Sequence, residues 1–336
     1  MKRKQCTFAS LLLLMVVAAI ACGNKSNASG TEENKDKTES VNVPAFNADS
    51  AYAYVQIQAN FGPRVPNTAA HRACGDYLAA KLEQLGAKVY NQYADLVAYD
   101  NTILKARNII GAYNPDSRRR VLLFAHWDSR PYADEDKDKS KHKTPILGVN
   151  DGASGVGVLL EVARQLQRQA PAIGIDIIFF DAEDYGTPTF HKGPYKPDTW
   201  CLGSQYWGRV PHVDNYNARF GILLDMVGGT GARFYQEGFS KQYALNIVDK
   251  VWKAAEVAGY ESLFPKAEGG YITDDHGPVN EKARIPTIDI IAYYPNCQQS
   301  SFGPTWHTVT DTMDNIDKNS LKAVGQTVIQ VLFSEK

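Results

Sequence analysis

The sequence predicts a single α/β domain built on a mostly parallel, twisted central sheet with helices on both faces. Three observations carry that expectation. Short apolar runs of strand length alternate with helical segments along the chain beyond residue 44. The runs are continuous rather than alternating, the pattern of strands covered on both faces. Three of them close on ionisable residues, which suits an open α/β sheet carrying its ligand site at the carboxyl edge.

Met1 to Cys22 stands outside that pattern. Lys2, Arg3 and Lys4 form a basic start, and the apolar run LLLLMVVAAIA covers only 11 residues, short of the ~20 that a membrane span needs. Ala19, Ile20 and Ala21 before Cys22 resemble a bacterial lipoprotein cleavage box, in which the Cys is lipidated and becomes the first mature residue. A plain signal peptide cleaved nearby is the alternative. Either way the expected product is exported. The lipoprotein reading anchors it by lipid in a bacterial cell envelope facing the periplasm, with no other membrane contact. Residues 23–44 are polar and lack aromatics, so they cannot bury enough surface to order themselves and read as a flexible tether. The catalytic domain is then 45–336.

Within it, Ala51 to Asn60 and Ala69 to Leu85 read as helices; Leu78, Leu82 and Leu85 fall on one face, and Gly86 suits the stop. Ile103 to Tyr113 is a strand, followed by the buried-type run Val121 to Ala125. A Gly-rich turn leads into a helix over Val156 to Leu166. Ile175 to Phe180, Phe220 to Leu224 and Thr287 to Ala292 are further strands, with helices at Tyr243 to Val257 and Leu321 to Phe333. The chain carries 36 Lys+Arg against 37 Asp+Glu, a net charge of −1. That balance removes any global electrostatic reason to bind nucleic acid. Five cysteines are too few for a disulfide scaffold; Cys6 goes with the signal and Cys22 with the anchor, and Cys74, Cys201 and Cys297 remain.

The chemistry-bearing pieces follow the strands in order: His126-Trp127-Asp128, Asp151 in GVNDGASG, Glu183-Asp184 in FFDAEDYG, Asp225 in LLDMVGG, Asp274-Asp275-His276, and His307 in TWHTVTDT. His and carboxylates are zinc donors, and a catalytic site keeps three protein ligands with one position open. Glycines beside Asp151 let the backbone bend its carboxylate toward a metal. Of two adjacent acids at a strand end, one can bind metal while the other handles protons. Taken singly each piece has an ordinary structural reading; their ordered conjunction is what points to a site. His71, His142, His191 and His212 lie in polar stretches and read as surface. Asp134 to Lys143 reads as a solvated loop.

This order of motifs resembles the zinc exopeptidases related to bacterial leucyl aminopeptidase, over roughly Ala45 to the C-terminus. Trp306 directly before His307, the DDH triplet and the Cys201-Leu202-Gly203-Ser204 stretch are closer to the animal-type zinc glutaminyl cyclases (glutaminyl-peptide cyclotransferases). The resemblance implies that Asp151, Asp184 and His307 bind one Zn²⁺ and that Glu183 is the general acid/base. It implies that Asp225 and Asp274 hold the substrate amine and amide and support Glu183, and that Trp306 walls the pocket. Substrates would be peptides or proteins with N-terminal Gln. Asp184 stands where the family usually has Glu, a ligand one methylene longer. The alternative is a two-zinc aminopeptidase, with His126 and Asp225 on a second metal and Asp151 bridging. A third expectation, a peptide-binding lipoprotein without catalysis, requires broken chemistry, and the donor set and Glu183 are all present.

Overall fold

The computed structural model describes residues 42–335. The leader, the cleavage box at Cys22 and nearly all of the tether lie outside them. The chain order is α1 (Ala48–Asn60), α2 (Ala69–Gln84), β1 (Lys88–Val97), β2 (Ile103–Tyr113), β3 (Arg120–His126), α3 (Ala153–Arg168), β4 (Gly174–Phe180), α4 (Leu202–Arg209), β5 (Phe220–Asp225), α5 (Gly238–Val257), the single turn α6 (His276–Pro278), β6 (Thr287–Ile291) and α7 (Lys318–Ser334). The strands form one sheet in the order β1-β2-β4-β3-β5-β6. β3 pairs in parallel with β4 and β5, and β5 with β6. β1–β2 and β2–β4 are antiparallel. The sheet is therefore mixed: the expected parallel part forms the centre and one side, and an antiparallel flank completes it.

β3, β4, β5 and β6 are buried along their whole lengths, as their largely apolar runs dictate, and Asp176 of β4 and Asp289 of β6 are buried with them. Alternate residues face opposite layers. Val121, Leu123, Ile175, Ile177, Ile222 and Leu224 pack under the helices of the larger layer. Leu122, Phe124, Ile178, Phe180 and Leu223 point the other way, against Trp207 of α4 and Val279 and Ile285. Phe180 sits between Phe124 and Trp207, ring centroids 5.3 and 5.8 Å away; truncating it to Ala would cost ~3–5 kcal/mol.

Three elements carry no mark in the sequence, the single turn α6 among them. β1, KVYNQYADLV, is an edge strand that is mostly exposed or half-exposed, so it has no apolar run to betray it. α4 has only 8 residues. His71 is a correction: it is buried, its Nε2 2.9 Å from both Asp181 oxygens, and it stacks on Trp127. His212 is half-buried and accepts from Trp207 Nε1. Cys74, Cys201 and Cys297 are all free thiols. Among the described residues no helix is long and apolar enough to cross a membrane.

Candidate active site

Parallel strands aimed the same way deliver their closing residues to one rim. His126 ends β3, Glu183 and Asp184 follow β4, and Asp225 ends β5. Asp151 comes from the turn before α3, Asp274 from the approach to α6, and His307 from the connection between β6 and α7. Gly152 has φ 93°, and a Cβ there would lie 2.8 Å from the Asp128 carbonyl oxygen and 2.9 Å from His126 Cε1. The turn carrying Asp151 can thus lie against the end of β3 only with glycine beside it. Asp311 accepts the amides of Asn150 and Asp151 and closes the turn from the other side.

Asp151, Asp184 and His307 form one buried triad, with one donor atom from each lying within 4.8 Å of the others. His307 Nε2 is 3.3 Å from Asp184 Oδ1 and 3.6 Å from Asp151 Oδ2. His126, Asp151 and Asp225 form a second, His126 Nε2 being 3.1 Å from Asp151 Oδ1 and 3.2 Å from Asp225 Oδ1. Glu183, Cys201 and Asp274 meet in a third cluster. All the sequence-predicted residues therefore converge. Asp128 accepts the amides of Glu183 at 3.1 Å and Asp184 at 3.2 Å, which sets the backbone of the acidic pair.

Electrostatics follow from this crowding. Burial pushes the Glu183 carboxyl well above the usual range; Asp184, Asp274 and Asp275 add to that and His126 opposes it. Burial likewise lifts Asp225 to about 6 against the pull of His126, and Asp274 to about 7, with Asp225 adding. Asp151 goes the other way: burial raises it, but the His126 hydrogen bond and the charges of His126, His307 and Arg130 together hold it below its usual value. Two carboxylates and an imidazole, removed from water and converging, match zinc's preferred O and N donors. Asp184 Oδ2 is buried without a hydrogen-bond partner, a cost that a cation would remove. The residues present fit the metal.

Trp306 stacks on His307, centroids 3.8 Å apart, and lies 4.7 Å from Phe302. With Trp200, Ile272 and Ile291 these side chains wall a pocket of about 60 Å³ over Asp151, Glu183, Asp184, Asp225, Asp274 and His307. An outer vestibule of about 450 Å³ shares Trp200, Ile272, Phe302, Trp306 and His307, and its rim carries the exposed Tyr195 and Tyr271.

Arg130 joins the site unannounced by the sequence, and Asp134 departs from the solvated loop expected there. Asp134 is buried rather than solvated, held by Arg130 at 2.6 and 2.8 Å, and faces His307 Nδ1 at 3.6 Å. Arg130 also donates to Asp184 and lies over Trp200. Opposite charges four residues apart were the available signal, but nothing local says that such a pair is buried.

An α/β sheet bearing buried carboxylate–imidazole triads at its carboxyl rim defines a zinc-exopeptidase-like protein. The chain belongs to peptidase family M28, whose family model matches residues 108–332. Its fold is that of the Bacteroides thetaiotaomicron glutaminyl cyclase solved with N-acetylhistamine, at 64% identity and TM-score 0.86 over 88% of this chain and 100% of that one. A Zn-dependent exopeptidase from Parabacteroides distasonis is 60% identical, TM-score 0.85, over 87% of this chain and 100% of that one. The glutaminyl-peptide cyclotransferase of Bos taurus is 24% identical over 68% of this chain and 65% of its own length. Aminopeptidase YwaD of Bacillus subtilis is 27% identical over 86% of this chain. The chain spans only 58% of that aminopeptidase's length and 65% of the bovine protein's.

Proposed function

We propose that the protein is a zinc-dependent glutaminyl cyclase, converting N-terminal Gln of peptides or proteins to pyroglutamate with release of ammonia. The observation that carries this reading is the 64% identity to a glutaminyl cyclase matched over its full length, joined to a small aromatic-walled pocket over a buried acid and a zinc-type donor triad. Asp151, Asp184 and His307 would hold the Zn²⁺. When bound, it supplies the Lewis acidity that polarises the substrate γ-carbonyl oxygen and favours charge developing there.

The chain's own residues do the rest. Glu183 takes a proton from the α-amine as that nitrogen attacks the γ-carboxamide carbon, and returns it to the departing amide nitrogen, so that ammonia leaves and no net proton is consumed. A carboxyl lifted above its usual range is suited to both halves of that exchange. Asp225 and Asp274 hold the amine and amide beside it. Trp306 covers the bent side chain, and the attack, being intramolecular, needs chiefly this restraint.

Two details belong to the same proposal. One zinc, on Asp151, Asp184 and His307, is the number proposed, with His126 and Asp225 hydrogen-bonding beside it rather than binding a second metal. A two-zinc aminopeptidase is the competing reading, favoured by that same triad and by the likeness to YwaD. The protein is exported and lipid-anchored at Cys22, as its basic start, apolar run and small residues before Cys support. The deciding experiment incubates purified protein with a Gln-initiated peptide, with and without chelator, while measuring ammonia and counting zinc. Ammonia with one zinc supports the proposal. A released amino acid with two zincs overturns it. Labelling with radioactive palmitate, lost in Cys22→Ala, tests the anchor.

A further inference from the structure

The main chain of the acidic pair is held from two sides. Asp128 accepts its amides from one. From the other, the start of α4 rests on it: the Cys201 amide donates to the Glu183 carbonyl and the Leu202 amide to the Ala182 carbonyl, each at 3.0 Å. Gly203 makes that approach possible, since a Cβ there would fall 2.1 Å from the Asp181 carbonyl oxygen. Asn108 ties the two segments together, accepting from the Asp181 amide and donating to the Gly203 carbonyl. This backbone bracing does not by itself fix the Glu183 side chain, whose χ angles remain to be set.

That restraint comes from the same residue that braces the backbone. Cys201 adopts a left-handed conformation, φ 55° and ψ 35°, at the N-cap of α4. There its Sγ lies 3.2 Å from Glu183 Oε1, a donor-to-acceptor contact. Burial and the neighbouring carboxylate of Glu183 push the thiol's pKa well up, so it stays an S–H donor.

We propose that Cys201 is a positioning residue for Glu183, its thiol and its amide clamping the general acid/base at two points. The inference rests on the role given to Glu183 above. Nothing in it requires the thiol to react, which accords with its near-complete burial.

The test compares Cys201→Ala and Cys201→Ser with the parent, each with zinc content and unfolding midpoint measured. Loss of one modest hydrogen bond to the acting carboxyl should lower kcat about five- to tenfold, with KM for a Gln-initiated peptide within about twofold and zinc unchanged. Cys201→Ser restores a donor and should recover most of kcat, an outcome that a packing role would not produce. A Cys201→Ala variant with parental kcat, or a Ser variant no better than Ala, overturns the proposal. A parent protein that releases no ammonia refutes the cyclisation reading instead. The clamp is then judged from crystals of Cys201→Ala: a Glu183 carboxyl spread over several conformers supports it, and one unchanged conformer overturns it.

Discussion

Replacing Glu183 with Gln removes the proton-carrying group and almost nothing else. The side chain keeps its length, and the amides of residues 183 and 184 still donate to Asp128. The Cys201 amide still holds the residue-183 carbonyl, and a thiol donor can still reach the remaining carbonyl oxygen of the side chain. The donors Asp151, Asp184 and His307 are untouched, so zinc content should match the parent. A positioned acid/base contributes roughly 10²–10⁴-fold, about 3–5 kcal/mol of barrier at ~1.4 kcal/mol per factor of ten. Ammonia release from a Gln-initiated peptide, followed by a coupled assay, should fall by that factor in kcat. Because the substrate-walling residues are intact, KM should move little. A zinc-loaded Glu183→Gln protein keeping more than about a tenth of parental kcat would refute the reasoning, since another group would then be carrying the proton.

Asp184→Ala and His307→Ala each remove a donor from a buried triad and should lose zinc by atomic absorption; parental metal content in either would exclude that residue as a ligand. Trp306→Ala removes the ring stacked on His307 and packed near Phe302 and should raise KM about tenfold, an aromatic wall being worth about 1–2 kcal/mol, measured by initial rates across Gln-peptide concentrations. Glu237 caps α5, accepting the amides of Phe239, Ser240 and Ile272. Burial opposes its ionisation, but His276 and those amides prevail and hold it at about 2, against 4.5 normally. Its folded pKa is depressed, so its contribution is complete above about pH 4.5 and is lost as pH falls toward about 2. That gap corresponds to about 3 kcal/mol at ~1.4 kcal/mol per unit. Urea unfolding of Glu237→Gln should therefore show its full deficit near neutrality and none near pH 2, and a deficit independent of pH would exclude this origin.

Fold class and most of the site could be read from the chain alone because both leave local marks. Strands buried on two faces must be largely apolar, so IDIIFF and VLLFA announce themselves, and the ionisable residues closing them mark the rim. The polar edge strand β1 leaves no such mark, since one exposed edge and face let it keep lysine, asparagine and aspartate. The donor residues were likewise visible by type and order along the chain.

What the sequence could not express is which buried polar groups meet across long separations. His71 lies in a polar stretch, yet it is buried on Asp181, 110 residues away. Asp134 sits in a charged run, yet packing against Arg130 takes it out of water and turns it toward His307. Cys201 has no neighbour in the chain that links it to Glu183; only α4 folding back onto the end of β4 brings thiol and carboxyl to 3.2 Å. Apolar burial is dictated by the side chain itself and so is legible locally. The partner that makes burial of a charge tolerable is chosen by tertiary packing, and only the folded structure identifies it.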